Sequence, residues 1–180
     1  AEVLQAPMVS FRGGKGVVSD EHPLMLNCAA GHRRWEQTDV VIGIGSRMEL
    51  AWFRWPKAAT PRKTILIDID PTQTARLSPD VTILGDAADG AGQLAAALRG
   101  AGVSRPSRTD EFVDLKAAVT RDTQKIQPHI EYLAAIRDVL PRDGFFVEEI
   151  SQAGFASYYG FPVYEPRTFV TCGPQGALGF

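Results

Sequence analysis

The 180-residue sequence predicts an α/β protein, a parallel sheet with helices on both faces followed by the opening of a second, incomplete α/β unit. Three observations carry this expectation. Short, nearly unbroken apolar runs, "VVIGI" (40–44), "TILIDI" (64–69) and "VTIL" (81–84), read as strands buried on both faces. Each run leads into Gly or Asp, the residues that turn a chain at the carboxyl edge of such a sheet. Stretches with helical spacing alternate with these runs.

Taken in order, "AEVLQAP" reads as the last turns of an amphipathic helix without a preceding cap. "APMVSF" predicts a buried strand near 7–11 in the same parallel sheet as the other three. "RGGKGVVSDEHP" (12–23) is a Gly-rich loop, and "HRRWEQTD" suggests a short helix. The strand at 81–84 runs through Gly85 and Asp86 into a helix ending near Leu98. "GAGVSRPSRTD" (100–110) is small, polar and linker-like. The helix after it carries Phe112, Leu115 and Val119 at helical spacing.

A new unit then opens with Pro128 in a first helical turn, followed by the stripe Ile130, Leu133, Ala134, Ile136 and Leu140. "DGFFVEEIS" predicts a strand, "SQAGFASYYGF" a helix and "RTFVTCG" another strand. A loop with Gly173, Gly176 and Gly179 follows. The expected divisions are 1–104, 105–125 and 126–180. An uncapped helix end at the start and a Gly-rich loop at the finish lead us to expect a piece of a longer chain.

Composition narrows the function classes. Hydrophobic content of 44% and charged content of 22% are ordinary for a globular protein. Net charge is −2 with no Lys/Arg block, which argues against nucleic acid or an anionic membrane as partner. No apolar run approaches a membrane span and no signal peptide opens the chain, so the expected location is cytoplasmic. Cys28 and Cys172 lie far apart, and His22, His32 and His129 have no metal-ligand spacing, so no metal site is expected here.

Two stretches offer chemistry. Gly43 and Gly45 end a strand, and Asp68 and Asp70 follow about 25 residues later. A carboxylate at that distance accepts from a ribose hydroxyl in nucleotide-binding folds. The plainer alternative has the glycines turning the chain and the aspartates capping a helix at Pro71, and it weighs more because the third glycine of the fingerprint is missing. In "EEISQ", Ser151 and Gln152 stand at a helix start, where free N–H groups and the helix dipole favour a phosphate. Taken alone, ordinary capping by Ser151 is the simpler reading.

As an ordered set, the segments resemble the thiamine diphosphate-dependent enzymes of the acetolactate synthase, benzoylformate decarboxylase and pyruvate oxidase group. "LQAPMVSFRGGKGVVSDEHPL" is similar to the opening of that family's central domain, and "DVVIGIGSRM", "ILIDIDP" and "ILGDA" follow in the family's order. "QPHIEYLAAIRDVLPRDGFFVEE" and "RTFVTCGPQGALGF" resemble the start of its diphosphate-binding domain. The resemblance implies a Rossmann-like central domain over 1–104, a linker and helix over 105–125, and the first part of the diphosphate-binding domain over 126–180.

It further implies a thiamine diphosphate- and Mg²⁺-dependent lyase or transferase that decarboxylates or carboligates 2-oxo acids. Such an enzyme is expected as a homodimer or homotetramer, completed by the rest of its own polypeptide and inactive as this piece. Glu149, Ser151, Gln152, Gly176 and Leu178 match cofactor-approaching positions, with Leu178 as the apolar wedge that bends the cofactor. No catalytic or metal-binding residue is expected within these 180 residues. Gln152-Ala153 stands where acetolactate synthases carry Gln-His. Several members bind FAD or ADP in the central domain, but "RMELAWF" replaces the synthases' Phe-Asp-Asp-Arg, which counts against FAD. The competing readings are a non-catalytic nucleotide-binding module and an NAD-dependent oxidoreductase.

Overall fold

A computed structural model describes residues 1–55, 62–173, 176 and 179. In chain order the described elements are β1 (Met8–Val9), β2 (Met25–Leu26), α1 (Cys28–Arg34), β3 (Val40–Ile44), β4 (Lys63–Asp68), α2 (Pro71–Leu77), β5 (Val81–Leu84), α3 (Ala87–Gly100), α4 (Thr109–Thr123), α5 (His129–Val139), β6 (Phe146–Glu148), α6 (Gln152–Gly160) and β7 (Phe169–Thr171). The chain divides into two compact units, residues 32–106 and residues 1–31 with 107–180.

The unit of residues 32–106 holds a three-stranded parallel sheet in the order β3-β4-β5, with Val40 opposite Lys63 and Ile65 opposite Val81. The central strand carries the core: Leu66 and Ile67 are fully buried. Adjacent strand residues point to opposite faces. Leu66 packs with Met48 and with Leu77 of α2. Ile67 faces Gly90 of α3, where a Cβ would stand 2.4 Å from its Cγ2. Helices therefore cover both faces, as the alternating pattern implies. The expected burial on both faces holds only for β4. Val40, Ile44, Val81 and Leu84 are exposed, because β3 and β5 are the edges of this sheet.

The other unit corrects the expected placement of the first strand. Met8–Val9 does not join the three-stranded sheet; it pairs in parallel with Met25–Leu26. Met8 N–H donates to the Leu24 carbonyl at 2.8 Å. Leu24 and Leu26 bury against Ala30 and against Phe112 and Val119 of α4. The next apolar run along the chain is thus the partner, a choice that strand propensity cannot make. Helix α1 also begins earlier than "HRRWEQTD" suggests. Asn27 Oδ1 accepts from Ala30 N at 2.9 Å, an N-cap that starts the helix at Cys28.

The same residues hold the C-terminal elements in place. Asn27 Nδ2 donates to the Tyr159 carbonyl at 2.9 Å, and Asp20 accepts from Val163 N at 2.8 Å. The Gly-Lys-Gly loop is part of this seam. Lys15 is buried and pairs with Asp20 at 3.2 Å, and Gly16 adopts φ +84° with no room for a Cβ beside the Glu165 carbonyl. β6 and β7 then pair in parallel, Phe146 opposite Phe169 and Glu148 opposite Thr171. Phe146 stacks on Phe161 with ring centroids 4.0 Å apart and on Phe169 at 5.6 Å.

Candidate functional site

The parallel pairing of β6 and β7 brings two chain turns together at one carboxyl edge. After β6 the chain passes through Glu149 and Ile150 to Ser151, which is extended at φ −143° and caps α6. Its Oγ accepts from Gly154 N at 3.0 Å. Gln152 is exposed and, with Ala153, opens the helix; N–H groups at these positions have no carbonyl partner within their own helix. After β7 the chain enters its glycine loop, where Gly173, Gly176 and Gly179 take φ of +72°, +60° and +75°.

The two turns touch. Glu149 Oε2 accepts from the backbone N–H of Gly179. A Cβ on Gly176 would stand 2.9 Å from Ile150 Cγ1, so only glycine lets this backbone lie against the turn after β6. Of the residues singled out from the sequence, Glu149, Ser151, Gln152 and Gly176 therefore meet at one sheet edge. Leu178 lies outside the described residues.

One residue of this site was not singled out. Glu148, the last residue of β6, is only 3% exposed. Its Oε1 accepts from Tyr158 Oη at 2.8 Å and from the Thr171 hydroxyl. Its Oε2 is buried with no hydrogen-bond partner among the described residues. Burial holds the Tyr158 phenol above its ordinary pKa, and the neighbouring Glu148 carboxylate adds to that rise. The doublet Glu148-Glu149 reads as one polar turn in sequence. The signal available was strand alternation, which sends adjacent residues to opposite sides.

The carboxyl edge of the three-stranded sheet is arranged differently. Asp70 caps α2, accepting from Thr72 N and Thr72 Oγ1, and also takes a bond from Gln73 Nε2. The Gln73 bond, then the Thr72 bonds, hold its carboxyl below the usual range. Asp68 Oδ1 accepts from Asp70 N at 2.9 Å. Gly43 is buried under Met48, whose sulfur would lie 2.6 Å from a Cβ there, and Gly45 takes φ +54° beside Ala87. Gly43 and Gly45 thus serve close packing and a turn at the end of β3, and Asp68 and Asp70 the turn and cap that start α2.

Among the described residues, no group of three His, Cys, Asp or Glu side chains lies close enough to hold a metal ion. No described helix is long and apolar enough to cross a membrane.

Parallel strands, turns meeting at their carboxyl ends and a capped helix start define an α/β protein. The sequence specifies which one. Residues 1–94 match the family model described as thiamine pyrophosphate enzyme, central domain, and the chain belongs to that family. It is 29% identical to glyoxylate carboligase of Escherichia coli O157:H7, over 100% of this chain and 33% of that protein. It is 26% identical to oxalyl-CoA decarboxylase of Escherichia coli strain K12, over 99% of this chain and 34% of that one. A probable acetolactate synthase large subunit of Methanocaldococcus jannaschii is also 26% identical, over 100% of this chain and 34% of its own length. The chain spans about a third of the length of these relatives.

Proposed function

We propose that these residues form part of a thiamine diphosphate-dependent lyase or transferase acting on 2-oxo acids. In this reading residues 1–104 are the central domain, 105–125 a linker and helix, and 126–180 the start of the diphosphate-binding domain. The observation that carries it is the meeting of the turn between β6 and the Ser151-capped α6 with Gly176 and Gly179.

The residues present fit the cofactor. The helix start offers N–H donors and a positive dipole end to a diphosphate. Gly176 would present bare backbone to a flat ring system on the side away from Ile150, the role the resemblance gives it. Ser151 and Gln152 would face the diphosphate, Glu149 would fix the loop through Gly179, and Leu178 would wedge the cofactor into its bent form. When bound, thiamine diphosphate supplies the electron sink for cleaving a carbon–carbon bond next to a carbonyl. The protein's share is to orient the cofactor, exclude water and place charge. Decarboxylation and carboligation are both compatible with this site, and both occur in the names of the relatives.

Mg²⁺ accompanies the diphosphate in this proposal, with ligands supplied from outside the described residues. A homodimer or homotetramer is the assembly the resemblance supports. The 180 residues alone are expected to release no CO₂ from a 2-oxo acid, because they correspond to only a third of each relative.

Calorimetric titration of the full-length protein with thiamine diphosphate plus Mg²⁺, with ADP, with FAD and with NAD tests the assignment. Saturable binding of the first, weakened by Ser151→Ala, is the expected result. Binding of NAD alone would replace this reading by a dehydrogenase. Binding of ADP alone would replace it by a nucleotide module using Gly43, Gly45, Asp68 and Asp70.

A further inference from the structure

Glu148 is unusual for its position. It sits at the end of β6, 3% exposed, directly beneath the first turn of α6. One oxygen is held by two hydroxyl donors, from Tyr158 on α6 and Thr171 on β7. The other has no hydrogen-bond partner among the described residues. That second oxygen points into the helix start: a Cβ on Gly154 would lie 3.0 Å from it. A half-satisfied buried carboxylate is costly unless something positive compensates it. Here the positive end of the α6 dipole lies against it.

The same helix end is where the proposed function puts an anion. A phosphate arriving at the exposed side of the first turn meets the attraction of the N–H groups. It also meets the repulsion of a carboxylate fixed behind them in a low-dielectric position. Lys15 and Arg12 are cations of the same unit. Lys15 is engaged by Asp20, and Arg12 acts on Tyr158 electrostatically.

We propose that Glu148 sets the charge selectivity of this helix start, so that it rejects a bare diphosphate and accepts one neutralised by a divalent cation. This inference rests on the proposed diphosphate site and adds to it a residue that never touches the ligand. Glu148 is a positioning residue for charge. It makes binding depend on the cation more steeply than the cation's own ligands would.

The test is a ratio. Affinity for inorganic pyrophosphate, and for thiamine diphosphate, is measured by calorimetry on the full-length protein with and without Mg²⁺, for wild type and Glu148→Gln. The substitution keeps the shape and the acceptor for Tyr158 and Thr171 while removing the charge. Cation-free affinity is expected to rise about tenfold, and affinity with Mg²⁺ to change less than about threefold, so the cation dependence shrinks. Tyr158→Phe removes a donor but keeps the charge, and should leave the wild-type ratio in place. If Glu148→Gln does not fold, as judged by its melting transition, Glu148→Thr gives a second neutral variant with the same expected change. A ratio unchanged in the neutral variants, or shifted equally by Tyr158→Phe, overturns the inference and leaves the proposed function standing. No binding of either ligand to wild type with Mg²⁺ overturns both.

Discussion

Replacing Gly154 with alanine sets helix propensity against a backbone collision. Gly154 is the third residue of α6, where alanine should stabilise by about 1 kcal/mol relative to glycine. The added Cβ, however, would stand 2.1 Å from the Glu149 carbonyl oxygen and 3.0 Å from Glu148 Oε2. A backbone oxygen tied into the turn after β6 cannot rotate away as a side-chain tip does. Overpacking of this kind costs about 3 kcal/mol at the upper end of its usual range. The net loss is then about 2 kcal/mol, or roughly a thirtyfold fall in the folding constant and about 4–8 °C in Tm.

Gly160 in the same helix is the internal control. There the nearest atom to an added Cβ is Ile130 Cδ1 at 2.3 Å, the end of a flexible side chain. Gly160→Ala should fall within about 1 kcal/mol of wild type, since propensity and repacking offset each other. Urea denaturation of the three proteins, with diphosphate titrations alongside, decides the matter. Gly154→Ala should also weaken diphosphate binding, because relieving the collision displaces the turn that carries the cap. A Gly154→Ala protein as stable as wild type, with Gly160→Ala the worse of the two, would refute the reasoning.

Other perturbations separate buried from exposed charge. Asp20→Ala strands the buried Lys15 and removes the acceptor for Val163 N, so it should cost about 3–5 kcal/mol in denaturant titration. Glu21→Ala, one residue on, breaks only the exposed pair with Arg142 and should leave the urea midpoint within error of wild type. Burial raises the folded pKa of Tyr158, so its contribution is complete below the unfolded value of about 10 and is lost as pH rises through the folded one. Lys116 acts in the opposite sense, its pKa lowered by burial, so stability should rise as pH approaches the unfolded lysine value from below. The Tyr158 share is therefore read as the difference between wild type and Tyr158→Phe at pH 8 and pH 11, and equal pH slopes would contradict it. Under the proposed function, Leu178→Ala in the full-length protein should slow proton exchange on the thiazolium ring of added thiamine diphosphate, followed by NMR, much more than it weakens diphosphate affinity, and unchanged exchange would contradict the wedge role.

Much of the architecture was legible because parallel strands and amphipathic helices write their periods directly into the chain. The runs at 40–44, 64–69 and 81–84 became β3, β4 and β5 in parallel register. Asp70 was legible as a cap, since an Asp before a helical stretch offers an acceptor to the first free N–H groups. The Ser151 start of α6 was visible, and so was the family whose central-domain model matches residues 1–94.

What the sequence could not show is which elements choose one another. The run at 8–9 looks like any sheet strand, yet Leu24 and Leu26 capture it, because burial against Phe112 and Val119 depends on residues over 80 positions away. Glu148 and Glu149 are neighbours of one type, and their fates diverge. Strand alternation turns Glu148 inward under α6, while Glu149 reaches across to Gly179. Local periodicity determines what each segment becomes, because helix and strand are short-range solutions to backbone hydrogen bonding. Pairing, burial and the charge at the site are long-range properties, and they exist only once the tertiary structure has brought distant residues together.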